Sequence, residues 1–169
     1  SLFATSLFSS NILFYLQSGY FETSAELKPL LHTWSLAVEE QFYIIFPIFI
    51  MLMWRFPFKF IASSIALIGL SSLLLSEWIS TGHPEANFYL PITRAWELLA
   101  GSLCAMYLHK NRSHKQINFK HNCASFIGLI LILVPIFSFD KGTTFPGLNA
   151  LMPVTGTSLI LLFAHKGSY

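Results

Sequence analysis

Apolar residues run in six long stretches, Leu2 to Leu16, Trp34 to Trp54, Phe60 to Leu75, Phe88 to Leu108, Cys123 to Phe139 and Leu148 to Ala164. Each is close to the roughly 17–25 residues that a helix needs to cross a bilayer. Lipid offers the backbone no hydrogen-bond partners, so such spans are helices rather than strands. The pattern therefore predicts an all-α fold, a polytopic transmembrane helix bundle of about six spans. Proline and glycine gather in two connections, "STGHPEANFYLP" and "DKGTTFPG". Pro47, Pro91, Pro135 and Pro153 fall within or at the ends of spans, which membrane helices tolerate. The chain shows no internal repeat and no low-complexity tract.

Composition sharpens this class. Of 169 residues, 54% are hydrophobic, 11% are charged and 17 are Phe. Mean hydropathy is +0.59. A soluble domain carries about a quarter charged residues, so the polar surface here is too small to cover a water-soluble globule. The formal charge of +2 is small, and no basic stripe with interleaved aromatics points to nucleic acid. Cys104 and Cys123 have no CxxC partner, and no metal-ligand spacing is present. His109, His114 and His121 likewise lack Cys or carboxylate partners for a metal. The chain starts at Ser1 inside an apolar run, with no charged n-region or cleavage site, and reads as an internal piece of a longer protein.

Charge also sets the orientation. The connections after the second and fourth stretches and the C-terminal tail hold Arg55, Lys59, Lys110, Arg112, Lys115, Lys120 and Lys166. The opposite connections hold only Lys28 and Lys141. This bias places the first set on the cytoplasmic side and the His32 end of the second span outside. The run from Lys110 to His121 reads first as cytoplasmic anchoring. A weaker reading is attraction of the phosphates of coenzyme A.

Against this apolar background the second span carries a polar stripe. His32, Ser35, Glu39 and Tyr43 fall on one helix face, and Glu40 points to a flank. Glu39 lies roughly 10 Å inside the outer end at 1.5 Å per residue. A simple interface reading, with a histidine at the headgroups and acids favoured by the helix dipole, suits Thr33 and Ser35. It suits Glu39 and Glu40 less well, because they lie past the first turn. A carboxylate within a span is costly and by default marks function. In the fourth span, "PITRAWELLAG", Arg94 and Glu97 are three apart and can pair on one face. Arg94 lies roughly 9 Å below the same outer surface, and Asn11 in the first span lies near that level. A polar layer is expected there, with Arg94 reaching Glu39 or Glu97. A salt bridge that only locks two helices remains an alternative. Three carboxylates, Glu39, Glu40 and Glu97, face one span cation, so a proton or a cation from another helix has to complete the balance.

The stretch "LKPLLHTWSLAVEEQFYIIFP" closely resembles the signature of the acyltransferase 3 family, integral-membrane O-acyltransferases of the bacterial O-antigen acetylase type. "TRAWELLAGSL" and "SSNILFYLQSGYF" resemble two further segments of that family, in its order and at about its spacing. The resemblance implies that residues 1–169 are the central part of a single membrane acyltransferase 3 domain of about ten helices. It implies transfer of an acyl group, commonly acetyl, from acyl-CoA (acetyl-CoA) as donor substrate, with no bound cofactor. The acceptor is a hydroxyl of a carbohydrate or glycolipid, such as lipopolysaccharide O-antigen, peptidoglycan or exopolysaccharide. It implies a bacterial inner membrane and contact with membrane lipid. His32, Trp34, Ser35, Glu39 and Glu40 match one family block, and Arg94, Trp96 and Glu97 match another.

The chain departs from the family pattern at both ends. The family's proposed catalytic centre includes an Arg and a His about three helical turns apart on its first membrane helix. No Arg here has a His eleven residues later: Arg55 leads to Ala66, Arg94 to Ala105 and Arg112 to Cys123. The C-terminal SY-x-x-YL-x-H-x-P-like run is absent as well. On this reading the principal base lies upstream of Ser1. The catalytic candidates in this chain are His32, as a second base or acceptor-positioning group, Glu39, which orients a histidine, and Arg94, which holds Glu39 or stabilises charge. Asn11, Trp34, Ser35, Glu40, Tyr43, Trp96 and Glu97 form the accompanying polar or substrate-binding network. Two rivals stand beside this reading. One is a transporter or channel with a buried Glu/Arg path, which would call for broken helices or an inverted repeat. The other is an inactive, truncated acyltransferase.

Overall fold

The computed structural model describes residues 4, 7–17, 32–111, 119–140 and 146–164, whose regular elements are helices with no strand among them. In chain order the helices are α1 (Ser10–Gln17), α2 (Thr33–Met53), α3 (Phe58–Ser80), α4 (Pro84–Tyr89), α5 (Pro91–Lys110), α6 (Phe119–Ser138) and α7 (Leu151–Phe163). A 3-10 turn, Leu148–Ala150, leads into α7. Lys28, Lys141, Arg112, Lys115, Lys166 and His114, part of the charge pattern above, lie outside the described residues.

The helices α2 and α3 and residues His121–Ser138 of α6 are long and apolar enough to cross a membrane. Their outer faces carry Leu, Ile and Phe, as a lipid-facing surface requires: Ile45 is 63% exposed, Leu67 68% and Phe137 85%. The other apolar stretches differ from the simplest six-span picture. The described part of the first is the eight-residue α1. The fourth is broken at Leu90, whose extended backbone separates the short α4 from α5. Pro91 causes the break, because a residue before proline is pushed out of the α region and proline then favours the first helical turn. The third stretch extends further than its hydropathy, to Ser80. Ser80 and Thr81 hydroxyls donate to the Glu77 and Trp78 carbonyls, which satisfies part of that helix end.

Two close helix pairs organise the bundle, α3 with α5 and α6 with α7, and α5 also touches α7. Both pairs are antiparallel. In the first, Gly69 meets Leu99, and the Ser72 hydroxyl donates to the Ile92 carbonyl at 2.6 Å while accepting the Trp96 N–H at 3.2 Å. In the second, Gly128 and Gly156 bring the backbones together, as small residues do where helices pack in lipid. The helix α2 lies against α1 and α5, and α4 lies against α1 and α3.

Polar contacts close one end of this arrangement. The Pro146 carbonyl accepts hydrogen bonds from Ser76 Oγ at 3.1 Å and Asn87 Nδ2 at 2.7 Å. Thr93, fully buried, donates to the Asn87 carbonyl at 2.7 Å. Glu77 Oε2 accepts the Leu148 N–H at 3.1 Å, at the entry to α7. These bonds tie α3, α4, α5 and the start of α7 at the level where Arg94 and Glu97 lie on α5.

Candidate functional site

The site begins with the first turns of α5. Pro91 starts the helix, and Arg94 and Glu97 then fall on one face. Arg94 Nη2 donates to Glu97 Oε2 at 3.0 Å, with 18% and 21% of the two side chains exposed. The pair is therefore largely withdrawn from solvent, where its attraction is less screened than at a surface. Glu97 Oε1 is buried and has no partner among the described residues, and neither does the buried Trp96 Nε1. Trp96 packs inward and does not face the Arg94 cavity described next.

The first turns of α2 face this pair. The Arg94 guanidinium sits over the Trp34 ring, 4.9 Å from its centroid. Trp34 in turn is held by Phe88 at 4.4 Å and by Tyr89, edge-on, at 5.6 Å. The aromatic cluster thus fixes Arg94 against α2 by a cation–π contact. Beside it, Ser35, Val38 and Glu39 of α2 and Arg94, Glu97 and Leu98 of α5 line a cavity of about 60 Å³. A second cavity of about 280 Å³ lies on the other side of Arg94 and Glu97, against Thr157 and Ser158 of α7. The ion pair is the wall between the two.

The remaining candidates fall around this centre. Arg94 pairs with Glu97 and not with Glu39, although all three share the small cavity. Glu39 is exposed and Glu40 half-buried, and neither forms an ion pair with a described residue. His32 is exposed at the start of α2, where its carbonyl accepts the Ser35 hydroxyl at 3.3 Å. Tyr43 is 57% exposed and stands away from the cavity. The stripe on α2 is thus split: Ser35 and Glu39 line the cavity beside Arg94, whereas His32 and Tyr43 do not.

Asn11 is fully buried and ties three elements together. Its Nδ2 donates to the Tyr89 carbonyl at 3.2 Å, and its Oδ1 accepts from Gln41 Nε2 at 3.0 Å. Gln41 also donates to the Phe8 carbonyl at 2.6 Å. Phe8 has a φ of 51°, a left-handed conformation unusual for a side chain of this size, in the turn before α1. Gln41 was not singled out by sequence. Its signal was position: it follows Glu39 and Glu40 at a flank that faces α1. Asn87, Thr93 and Ser72 were also missed. Short polar residues in apolar runs are the general signal for such interhelical bonds.

A family model described as an acyltransferase domain matches residues 1–168. An uncharacterized protein of Haemophilus influenzae is 34% identical over 165 residues, covering 91% of this chain and 66% of that protein. The YrhL protein of Bacillus subtilis is 29% identical over 163 residues, covering 89% of this chain and 26% of its own length. The peptidoglycan O-acetyltransferase OatA of Listeria monocytogenes is 27% identical over 161 residues, again 89% of this chain and 26% of OatA. The chain thus spans about two thirds of the first relative and about a quarter of the other two. No solved structure matches. With the match running through the α2 and α5 blocks that form the Arg94 cavity, the chain belongs to the acyltransferase 3 family of membrane proteins.

Proposed function

We propose that this chain forms part of a membrane O-acyltransferase that moves an acyl group, acetyl first among them, from acyl-CoA to a hydroxyl of a cell-surface carbohydrate. The observation that carries the reading is the cavity in which Arg94, Glu97, Glu39 and Ser35 meet inside an apolar bundle. Peptidoglycan is the acceptor favoured by the name of the Listeria relative. Lipopolysaccharide O-antigen and exopolysaccharide are the other acceptors of this chemistry. The protein sits in a bacterial inner membrane, with the start of α2 facing outward.

The chemistry sets the roles. The acceptor hydroxyl loses its proton to a base as its oxygen bonds to the thioester carbon. The carbonyl oxygen takes up negative charge, the carbon–sulfur bond then breaks, and the base returns its proton to the departing sulfur to give the thiol. Arg94 is a fixed donor for the charged oxygen, because its pair with Glu97 and its stack on Trp34 hold it in place. Glu39 forms no ion pair with a described residue and orients a base or the acceptor hydroxyl. His32 positions the acceptor at the outer mouth. The principal base is a histidine elsewhere in the complete protein.

The test uses membranes that hold the full-length protein and radiolabelled acetyl-CoA. Label is expected in the carbohydrate fraction. Glu39→Gln, Arg94→Lys and His32→Ala, each at equal expression, are expected to reduce it. Wild-type labelling in all three variants would remove these roles. Passage of substrate across the membrane with no labelled carbohydrate would favour a transporter instead.

A further inference from the structure

The larger of the two cavities beside Arg94 has no part in the roles assigned above. It encloses about 280 Å³ between α5 and α7, and its walls include Arg94, Glu97 and Gly101 of α5 and Val154, Thr157 and Ser158 of α7. Size separates it from its neighbour. An apolar cavity of about 150 Å³ admits benzene, a six-membered ring. The cavity of about 60 Å³ beside Glu39 falls well short of that, whereas the one of about 280 Å³ exceeds it. Of the two, the larger is therefore the one with room for a sugar ring and its substituents. Its wall chemistry points the same way. The Thr157 hydroxyl donates to the Pro153 carbonyl at 2.8 Å, and the Ser158 hydroxyl donates to the Val154 carbonyl at 2.8 Å. Both protons are spent within α7, so the two oxygens are left to accept. Glu97 Oε2 takes the Arg94 N–H, whereas its Oε1 has no partner among the described residues. A wall with this many acceptors suits a ligand rich in O–H groups. Arg94 and Glu97 are the only charged residues among those lining the cavity, and they offset each other. The wall thus favours a neutral ligand over an anion. Gly101 keeps the space open, because a Cβ there would meet nothing within 4 Å.

We infer that this cavity binds the acceptor as a neutral sugar unit. Its hydroxyls donate to Thr157, Ser158 and Glu97, and the apolar face of its ring rests on Val154. Its reacting hydroxyl meets the acyl group at Arg94, which lines both cavities. The smaller cavity is left to the acyl group. Thr157 and Ser158 are binding residues here, since they hold the sugar and take no proton from it. The inference rests on the acyl-transfer reading for the sugar's role as acceptor, and the binding itself is measured without a donor.

The probe is the tetramer of N-acetylglucosamine, with the tetramer of galacturonic acid as its charged control. Binding to the full-length protein is measured by native mass spectrometry with no donor present. Transfer from radiolabelled acetyl-CoA to the neutral tetramer is measured in membranes. The neutral tetramer is expected to bind, and the charged one to bind more weakly. Thr157→Val and Ser158→Ala are each expected to weaken binding and raise KM for the tetramer about three- to tenfold, as loss of one hydrogen bond does. KM for acetyl-CoA is expected to stay unchanged in both. Gly101→Leu fills the cavity from an open position and is expected to abolish binding with no fall in the unfolding midpoint. If that variant does unfold, Ser158→Ala decides, and unchanged binding overturns the inference. Binding that follows this pattern without transfer upholds the sugar site and removes the acyl-transfer reading. The inference is overturned if the neutral tetramer does not bind, or if the charged one binds as tightly. It is also overturned if folded Gly101→Leu binds like the wild type, or if the α7 variants raise KM for acetyl-CoA instead.

Discussion

The Arg94 guanidinium lies 4.9 Å from the centre of the Trp34 ring, so that one aromatic side chain of α2 sets where the charge on α5 stands. Glu97 holds the same guanidinium from its own helix at 3.0 Å. Trp34 is a positioning residue in this arrangement. Trp34→Leu is expected to lower acyl transfer by the full-length protein roughly tenfold, the order of one to two kcal/mol that a desolvated cation–π contact contributes. Trp34→Phe keeps a ring face and is expected to retain much of the rate. Initial rates at equal expression check this. Equal loss in both variants would point to packing against Phe88 and Tyr89 rather than to Arg94.

The two carboxylates of the small cavity are expected to separate stability from activity. Glu97→Gln leaves Arg94 without its counter-charge at a site that is mostly buried. A cost of about 1–2 kcal/mol is expected, reduced from the fully buried case because water still reaches the pair. Glu39 is exposed and unpaired with described residues, so Glu39→Gln should alter stability by less than about 0.5 kcal/mol. Its effect is expected on acetyl transfer. Thermal unfolding in detergent, set beside the transfer assay, gives both readouts for both variants.

Asn11 offers a test of the polar layer that involves no charge. Replacing it with Leu removes one of the two acceptors of Gln41 Nε2, which keeps the Phe8 carbonyl, and the amide donor to the Tyr89 carbonyl. Buried polar groups left without partners cost about 1–3 kcal/mol each. Asn11→Leu is therefore expected to lower the midpoint of thermal unfolding, although leucine is the more apolar residue at a fully buried site. An unchanged midpoint would mean that lipid or water readily takes over these bonds.

Much of this arrangement could be read from the chain, for a physical reason. Lipid permits few polar groups, so the few within apolar runs stand out, and Arg94, Glu97 and Glu39 were visible by depth alone. Helical spacing placed Arg94 beside Glu97. Depth could not decide between Glu97 and Glu39 as the partner of Arg94, because that depends on the rotation of α2 about its axis. The aromatic cluster under Arg94 was hidden for the same reason: Phe88 and Tyr89 belong to α4, which hydropathy merges with α5. Only the backbone restriction imposed by Pro91 separates the two. Ser72, Ser76, Asn87 and Thr93 were hidden because short hydroxyl and amide side chains barely interrupt an apolar run, yet they bind helices together through backbone carbonyls.

Gly128 and Gly156 support a last prediction, on how α6 and α7 stay together. A Cβ on Gly128 would lie 2.7 Å from the Gly156 carbonyl oxygen, and one on Gly156 would lie 2.6 Å from the Gly128 carbonyl oxygen. Both obstacles are backbone, which cannot rotate away as a side chain end can. An added methyl therefore has to push the helices apart. Gly128→Ala and Gly156→Ala are each expected to destabilise by about 1–3 kcal/mol, the range for overpacking a tight contact. Gly101 on α5 is the internal control. A Cβ there meets nothing within 4 Å, so alanine should be neutral or stabilise by up to about 1 kcal/mol through helix propensity. The contrast matters because alanine is the better helix former at all three positions. If the α6 and α7 variants unfold at the same temperature as Gly101→Ala, the close crossing does not hold the pair. A double variant no worse than either single one would show that the first methyl has already separated the helices, since the two glycines share one contact.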